Sequence, residues 1–473
     1  MKSVIFVLVI SVMVLFAYFY PDFRDEYQPP EFSKYEMKPG GDTTARRVPK
    51  RSFIEPIANE NGMILFDFWD GFSFFRDPWV AAPSITRDRD GLGPLYNARS
   101  CKACHNSGGR GKLAESGEVA KMALLFRFLK ADGSVDSMYG GQLQPFSVRL
   151  SHRKIQSPAI AEGNVTVHYE MLEGNYDDGS KYTLRKPRYE LANLGYGPHD
   201  NDSFLSARYA PAIYGMGLLD AIDEADLIAQ EDRKDKDENG ISAKYNRVLN
   251  VKTGELAIGR FGFKGLHPTL EQQVAGAFVN DIGITNPIFK QENCLEHQIG
   301  CTQAASVESK TILDIPQKLF APTLYMSQAV AVPPARKLQS NKAQLGRKHF
   351  YQLKCDTCHT PSYVTSEDYP VKTLANQKIW PYTNLALHDM GEGLADKGKE
   401  NQALGSEWRT PPLWGIGLQK RIQGFEGYLH DGRARTIEEA VLWHGGEAGQ
   451  SQQAFKALSK SDRESLIYFL KQI

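Results

Sequence analysis

Several things are scarce in this chain of 473 residues, and each scarcity narrows what it can be. There is no excess of charge. The 56 basic residues balance 56 acidic ones, so no nucleic-acid partner and no charged tail is expected. Beyond Tyr20 there is no long apolar run, so no later segment is expected to span a bilayer. Tryptophan is missing from Val80 through Ile379, which leaves no oxidisable indole in that stretch. Cysteine is sparse too, at six residues, but four of them fall in two copies of one pentapeptide.

Those copies are Cys101-Lys-Ala-Cys-His105 and Cys355-Asp-Thr-Cys-His359. Each offers two thiols for thioether bonds to haem vinyl groups, followed by a histidine placed to ligate the iron. A single Cys-x-x-Cys could be a zinc half-site or a redox dithiol. Two complete copies point instead to two covalently bound c-type haems, held by Cys101 and Cys104 and by Cys355 and Cys358. His105 and His359 are then the proximal iron ligands. The remaining pair, Cys294 and Cys301, is expected to form a small-loop disulfide, with a reduced buried pair as the alternative.

The compartment agrees with this chemistry. Residues 1–25 hold a Lys2-led apolar run that reads as an export signal or, lacking a clean small-x-small cleavage site, as an N-terminal anchor. The rest of the chain is then expected in the bacterial periplasm, soluble or tethered to the inner membrane. Residues 26–50 are rich in Pro, Lys, Arg and Gly without apolar periodicity, and read as a tether.

Downstream, the two haem-bearing halves look like copies. Pro211-Ala-Ile-Tyr-Gly-Met-Gly-Leu218 matches Pro411-Pro-Leu-Trp-Gly-Ile-Gly-Leu418, and Thr269-Leu-Glu-Gln-Gln-Val274 matches Thr436-Ile-Glu-Glu-Ala-Val441. Thr269 with Gln272 and Thr436 with Glu439 are capping boxes that should start helices, as is Ser461 with Glu464. On the second of these helices Ile437, Ala440, Val441 and His444 share one face, which makes His444 a candidate sixth ligand of the second haem. The same face in the first half reads Leu270, Gln273, Val274 and Ala277. Alanine cannot bind iron, so the first haem is expected to be open beside Gln273. A cap from His152, His168, His199, His267, Met122 or Met216 is the alternative. The fold expected is mainly α, with two cytochrome-c-like helical haem domains over 51–335 and 336–473. The first should carry a β-rich insertion at about 112–205, where Val165-Thr-Val-His-Tyr169 alternates.

These segments resemble those of the bacterial dihaem oxidoreductases, a family described as peroxidases and as thiol-oxidoreductase-like. Further segments that carry the resemblance are Asp90-Gly-Leu-Gly-Pro94, Gly259-Arg-Phe-Gly-Phe-Lys264, Asp281-Ile-Gly-Ile-Thr285, Glu407-Trp-Arg-Thr-Pro-Pro-Leu-Trp-Gly415 and Leu429-His-Asp-Gly-Arg433. More distantly the chain is similar to dihaem cytochrome c peroxidases, in which an iron ligand follows a His-Asp-Gly segment. His430-Asp-Gly432 leads in this way to His444. His430 itself, like His388, would shape a haem edge. The resemblance places Phe263 where those peroxidases carry tryptophan, and puts their distal acid near Gly283, so Asp281 is the nearest candidate for proton transfer.

The resulting expectation is an exported oxidoreductase that reduces hydrogen peroxide, or another small oxidant, at the first haem. Electrons would come from a small redox protein or other donor through the second. The rival readings are a dihaem electron carrier without catalysis and an oxidase or oxygenase of an organic or protein substrate. Separately, Asp235, Asp237 and Asn239 before Gly240 have the alternating oxygen ligands of a calcium loop, but Asn246 stands where a bidentate Glu would complete it.

Overall fold

The computed structural model describes residues 29–473 apart from 61, 63, 149–157 and 308–312. The N-terminal apolar run and His152 lie outside the described residues. Helix accounts for 29% and strand for 17%, and the strands form small sheets of two or three. The expected mainly helical pair of cytochrome-c-like domains is therefore corrected: helices and small sheets share the chain with long irregular segments. With 41 glycines and 25 prolines, helices are interrupted after a few turns. The longest described one, Ile64–Arg76, has 13 residues.

Strands Asn164–Asn175 and Lys181–Ala192 form an antiparallel hairpin, with Glu118–Val119 on its edge. The alternation in Val165-Thr-Val-His-Tyr169 buries Val165 and Val167 against Phe126 and Tyr209. Those two come from a second antiparallel pair, Leu124–Leu129 with Phe204–Tyr209. The hairpin tip reaches the C-terminal part of the chain, where Tyr176 and Leu184 join a core with Phe350, Trp443 and Phe469. Another core unites Phe53, Phe68, Leu218 and Leu270 with Leu385, Trp414 and Leu418. Both haem-motif halves thus contribute to one apolar interior.

The matched segments also match in geometry. Gly215 and Gly415 take nearly the same left-handed backbone, with φ of 73° and 72°. A Cβ on Gly215 would come within 2.4 Å of the Trp414 ring, and one on Gly415 within 3.0 Å of Tyr214. The two segments therefore cross, each glycine lying under the aromatic that precedes the other. Positive φ and close approach both demand glycine there.

Thr269 caps helix Leu270–Ala277 by accepting from the Gln272 amide, and Thr436 caps Ile437–Leu442 by accepting from Glu439. The last helix, Lys460–Leu470, is capped by Ser459 rather than Ser461. The Ser459 hydroxyl accepts from the Asp462 amide, which starts the helix earlier than the Ser461–Glu464 pattern suggests. Near the N-terminus, buried Glu36 pairs with Arg347 at 3.1 Å and accepts from the Tyr382 hydroxyl at 3.2 Å, fastening this segment to the body.

Candidate functional site

Cys101–Cys104 forms a single helical turn, after which the His105 amide closes back on the Cys101 carbonyl at 2.9 Å. The His105 ring places Nδ1 2.7 Å from the Pro211 carbonyl oxygen. A carbonyl can only accept, so Nδ1 carries the proton and Nε2 is left bare, the tautomer a metal ligand needs. His359 repeats this with the Tyr382 carbonyl at 2.9 Å, and His444 with the Ala440 carbonyl at 2.7 Å. Burial pushes all three imidazoles below their ordinary range. His359 falls to about 3, with burial as the main cause; the Tyr382 bond opposes it and nearby His444 and His388 add to it. All three are neutral near pH 7, as ligation requires.

A cavity of about 330 Å³ opens beside Cys101, Cys104 and His105. Leu270, Gln273, Val274 and Ala277 of one helix line it, as does Asp281 from the π-turn Phe278–Ile282 that continues this helix. Several residues lining it carry a buried polar atom without a hydrogen-bond partner, among them Gln273 Oε1 and His267 Nδ1. An unpaired buried group of this kind costs roughly 1–3 kcal/mol, so such positions mark places that await a ligand or water. Asp281 accepts from Gln142 Nε2 at 2.8 Å. Burial pushes its carboxyl up to about 6, against the Gln142 bond and the charge of Arg127.

The cavity also holds guanidinium groups that no carboxylate answers. Arg409 donates to the carbonyls of Gly262 at 2.8 Å and Thr410 at 3.1 Å, and burial alone lowers it to about 10. Arg110 donates to the Leu429 carbonyl at 3.2 Å, and burial is again the main cause of its lowering. Buried cations are costly without an anion, and the two carboxylates of a haem supply that anion. Two thiols, a bare imidazole nitrogen, apolar walls and uncompensated guanidiniums together fit a haem. Neither arginine announced itself in the sequence. Nor did Gln142, which lies far from Asp281 along the chain.

At the second motif, Cys355, Cys358 and His359 follow helix Asn341–Gln352. His444 lies just past the end of Ile437–Leu442, on the face that Ile437, Ala440 and Val441 share, and its backbone amide donates to Val441 at 3.1 Å. His388 uses both ring nitrogens on its neighbours, Glu447 at 2.8 Å and Asn384 at 3.0 Å. His430 stacks flat on Trp408, with ring centroids 3.6 Å apart. Phe263 lines the first cavity and also packs against the second core. Next to it, the Lys264 ammonium sits 3.7 Å from the Trp408 ring centre.

Of the candidate caps, Met216 and His267 line the first cavity. Met122 is exposed, His168 pairs with Glu190 on the hairpin, and His199 bonds the Asp200 carbonyl. In the acidic loop, Asp235 accepts from the Gly240 amide at 3.0 Å, Asp237 accepts from the Asn239 side chain at 2.7 Å, and Asn239 accepts from Ile241. Among the described residues no group of three or more His, Cys, Asp or Glu side chains is arranged to hold a metal ion. Cys294 and Cys301 are joined as a disulfide.

No curated protein and no solved structure matches the chain. Residues 137–473 match the family described as di-haem oxidoreductase, putative peroxidase, a span that includes the second Cys-x-x-Cys-His motif and begins after the first. With that match over most of its length, the chain belongs to the di-haem oxidoreductase, putative peroxidase family.

Proposed function

We propose that this oxidoreductase is an exported c-type dihaem protein that reduces hydrogen peroxide in the cavity beside His105. Cys101, Cys104 and His105 would hold one haem; Cys355, Cys358, His359 and His444 would hold the other. When bound, the haems supply an iron open to peroxide and a relay of electrons from an outside donor, such as a small redox protein.

The chain's own residues have defined parts in this. Ala277 brings no iron ligand into the first cavity at the position that His444 holds in the second half. Gln273 Oε1, enclosed and without a partner, would accept a hydrogen bond from an O–H of the peroxide and hold it in the cavity. Asp281, held by Gln142 and pushed up to about 6, can exchange protons near neutral pH. The apolar walls exclude water. Arg110 and Arg409 would pair with the carboxylates of the cofactor.

One observation carries the reading: a neutral, bare imidazole at His105 shares a cavity with Ala277 and with Gln273, whose Oε1 has no partner, where the second half of the chain has His444. Steady-state turnover of hydrogen peroxide with a reduced small cytochrome tests it. Sustained peroxide-dependent oxidation of the donor is expected. Electron exchange without peroxide consumption would make the protein an electron carrier, with Met216 or His267 as the cap.

A further inference from the structure

Among the side chains that line the first cavity, His267 has no task in the reading above. Its backbone is clamped. The amides of Arg260 and Phe261 both donate to the His267 carbonyl, at 2.9 and 3.0 Å, and the Leu266 amide donates to the Phe261 carbonyl at 2.8 Å. This clip lays the imidazole on Gly276, three residues beyond Gln273. A Cβ there would lie 3.2 Å from His267 Cε1 and 3.4 Å from Nε2, so glycine makes the room for the ring. The same clip carries Gly262, whose Cβ position lies 3.8 Å from Gln273 Oε1. Imidazole and amide are thus brought to the same clip on the cavity wall, and each keeps an enclosed polar atom without a partner.

Asp281 is differently placed. Its carboxylate is engaged by Gln142, and its charge falls on Cys101 and Cys104. The charges that act on His267 are Arg127 and Glu400, which pair at 3.2 Å and act on it in opposite directions, so that burial dominates and keeps the imidazole neutral.

We propose that His267 takes a proton from one oxygen of hydrogen peroxide and delivers it to the other as the O–O bond breaks, a transfer distinct from the exchange with solvent that Asp281 performs. One water leaves in that step. Two electrons from the reduced donor and two protons from solvent convert the remaining oxygen into the second water, so that H2O2 + 2 e⁻ + 2 H⁺ gives 2 H2O. The inference rests on the peroxidase reading of the same cavity.

Cyanide tests it apart from turnover, because hydrogen cyanide must lose its proton before the anion binds iron. In the dihaem protein, His267→Ala and His267→Gln should each slow cyanide association and peroxide reduction by about a hundredfold. Haem content and the resting visible spectrum should stay unchanged. Gly276→Ala, which keeps His267 but crowds its ring, should slow both processes about tenfold or more. Rates within threefold of wild type in both His267 variants would overturn the proposal. So would a change from low-spin to high-spin iron in His267→Ala, which would make His267 an iron ligand. If the wild-type protein itself neither binds cyanide nor reduces peroxide in any redox state, the peroxidase reading falls and takes this proposal with it. That failure is visible before any substitution is made.

Discussion

Replacing Gln273 with leucine should move activity and stability in opposite directions. The side chain keeps its volume within the cavity wall, and swaps that conserve volume cost less than about 1.5 kcal/mol. Against this stands the Gln273 carbonyl, enclosed and without a partner, whose removal recovers roughly 1–3 kcal/mol of desolvation. The net effect on folding then runs from roughly 0.5 kcal/mol of loss to about 3 kcal/mol of gain, centred on the stabilising side. Catalysis moves the other way. Removing one positioned polar group costs about a hundredfold, or roughly 2.7 kcal/mol of transition-state stabilisation. Peroxide turnover with a reduced cytochrome gives the first quantity; the urea midpoint, read by far-UV circular dichroism, gives the second. Turnover within threefold of wild type would remove Gln273 from the chemistry. A shared loss of turnover and more than about 2 kcal/mol of stability would make it a packing residue.

Two further perturbations address other parts of the molecule. His444→Ala should convert one low-spin iron to high-spin or water-ligated and shift its potential, because a strong-field imidazole is lost; an unchanged low-spin spectrum would return His444 to ordinary packing. Glu162, 2% exposed, accepts from Gln298 at 2.7 Å and from the Gln144 amide at 2.6 Å, yet burial pushes it up to about 7. The folded state therefore keeps a proton that the unfolded chain releases above its ordinary value of 4.5. Stability is fully favoured below that value and falls as pH rises toward 7, by a total of order 3 kcal/mol. Glu162→Gln should abolish that fall in thermal midpoints, and an identical pH slope in the two proteins would contradict it.

What the sequence made legible was local. The Cys-x-x-Cys-His turns, the threonine caps at Thr269 and Thr436 and the match between Pro211–Leu218 and Pro411–Leu418 all depend on residues within one short segment or on a repeat of it; that the two matched segments cross appears only in the structure. The inward face of Ile437, Ala440, Val441 and His444 was readable for the same reason. Fold class was not, because short helices around a cofactor pocket carry weak periodicity, and the chain between motifs is held by loops and small sheets. The cavity's arginines were equally hidden. Arg110 and Arg409 meet only through the tertiary fold, and Gln142 reaches Asp281 across 139 positions. His267 stood in the sequence as one of several candidate caps; its enclosure beside Gly276 and Gln273 appears only when the 259–269 clip is folded.

Ligand binding at the two irons tests the central claim most directly. The claim is that the two halves of one repeat have diverged, with Ala277 leaving one site open where His444 closes the other. Titrating the half-reduced and fully reduced protein with carbon monoxide, and the oxidised and half-reduced protein with cyanide, counts the accessible irons. The account predicts that one haem of the two binds in at least one of these redox states and that the other does not. Refusal by both haems in every redox state would contradict it.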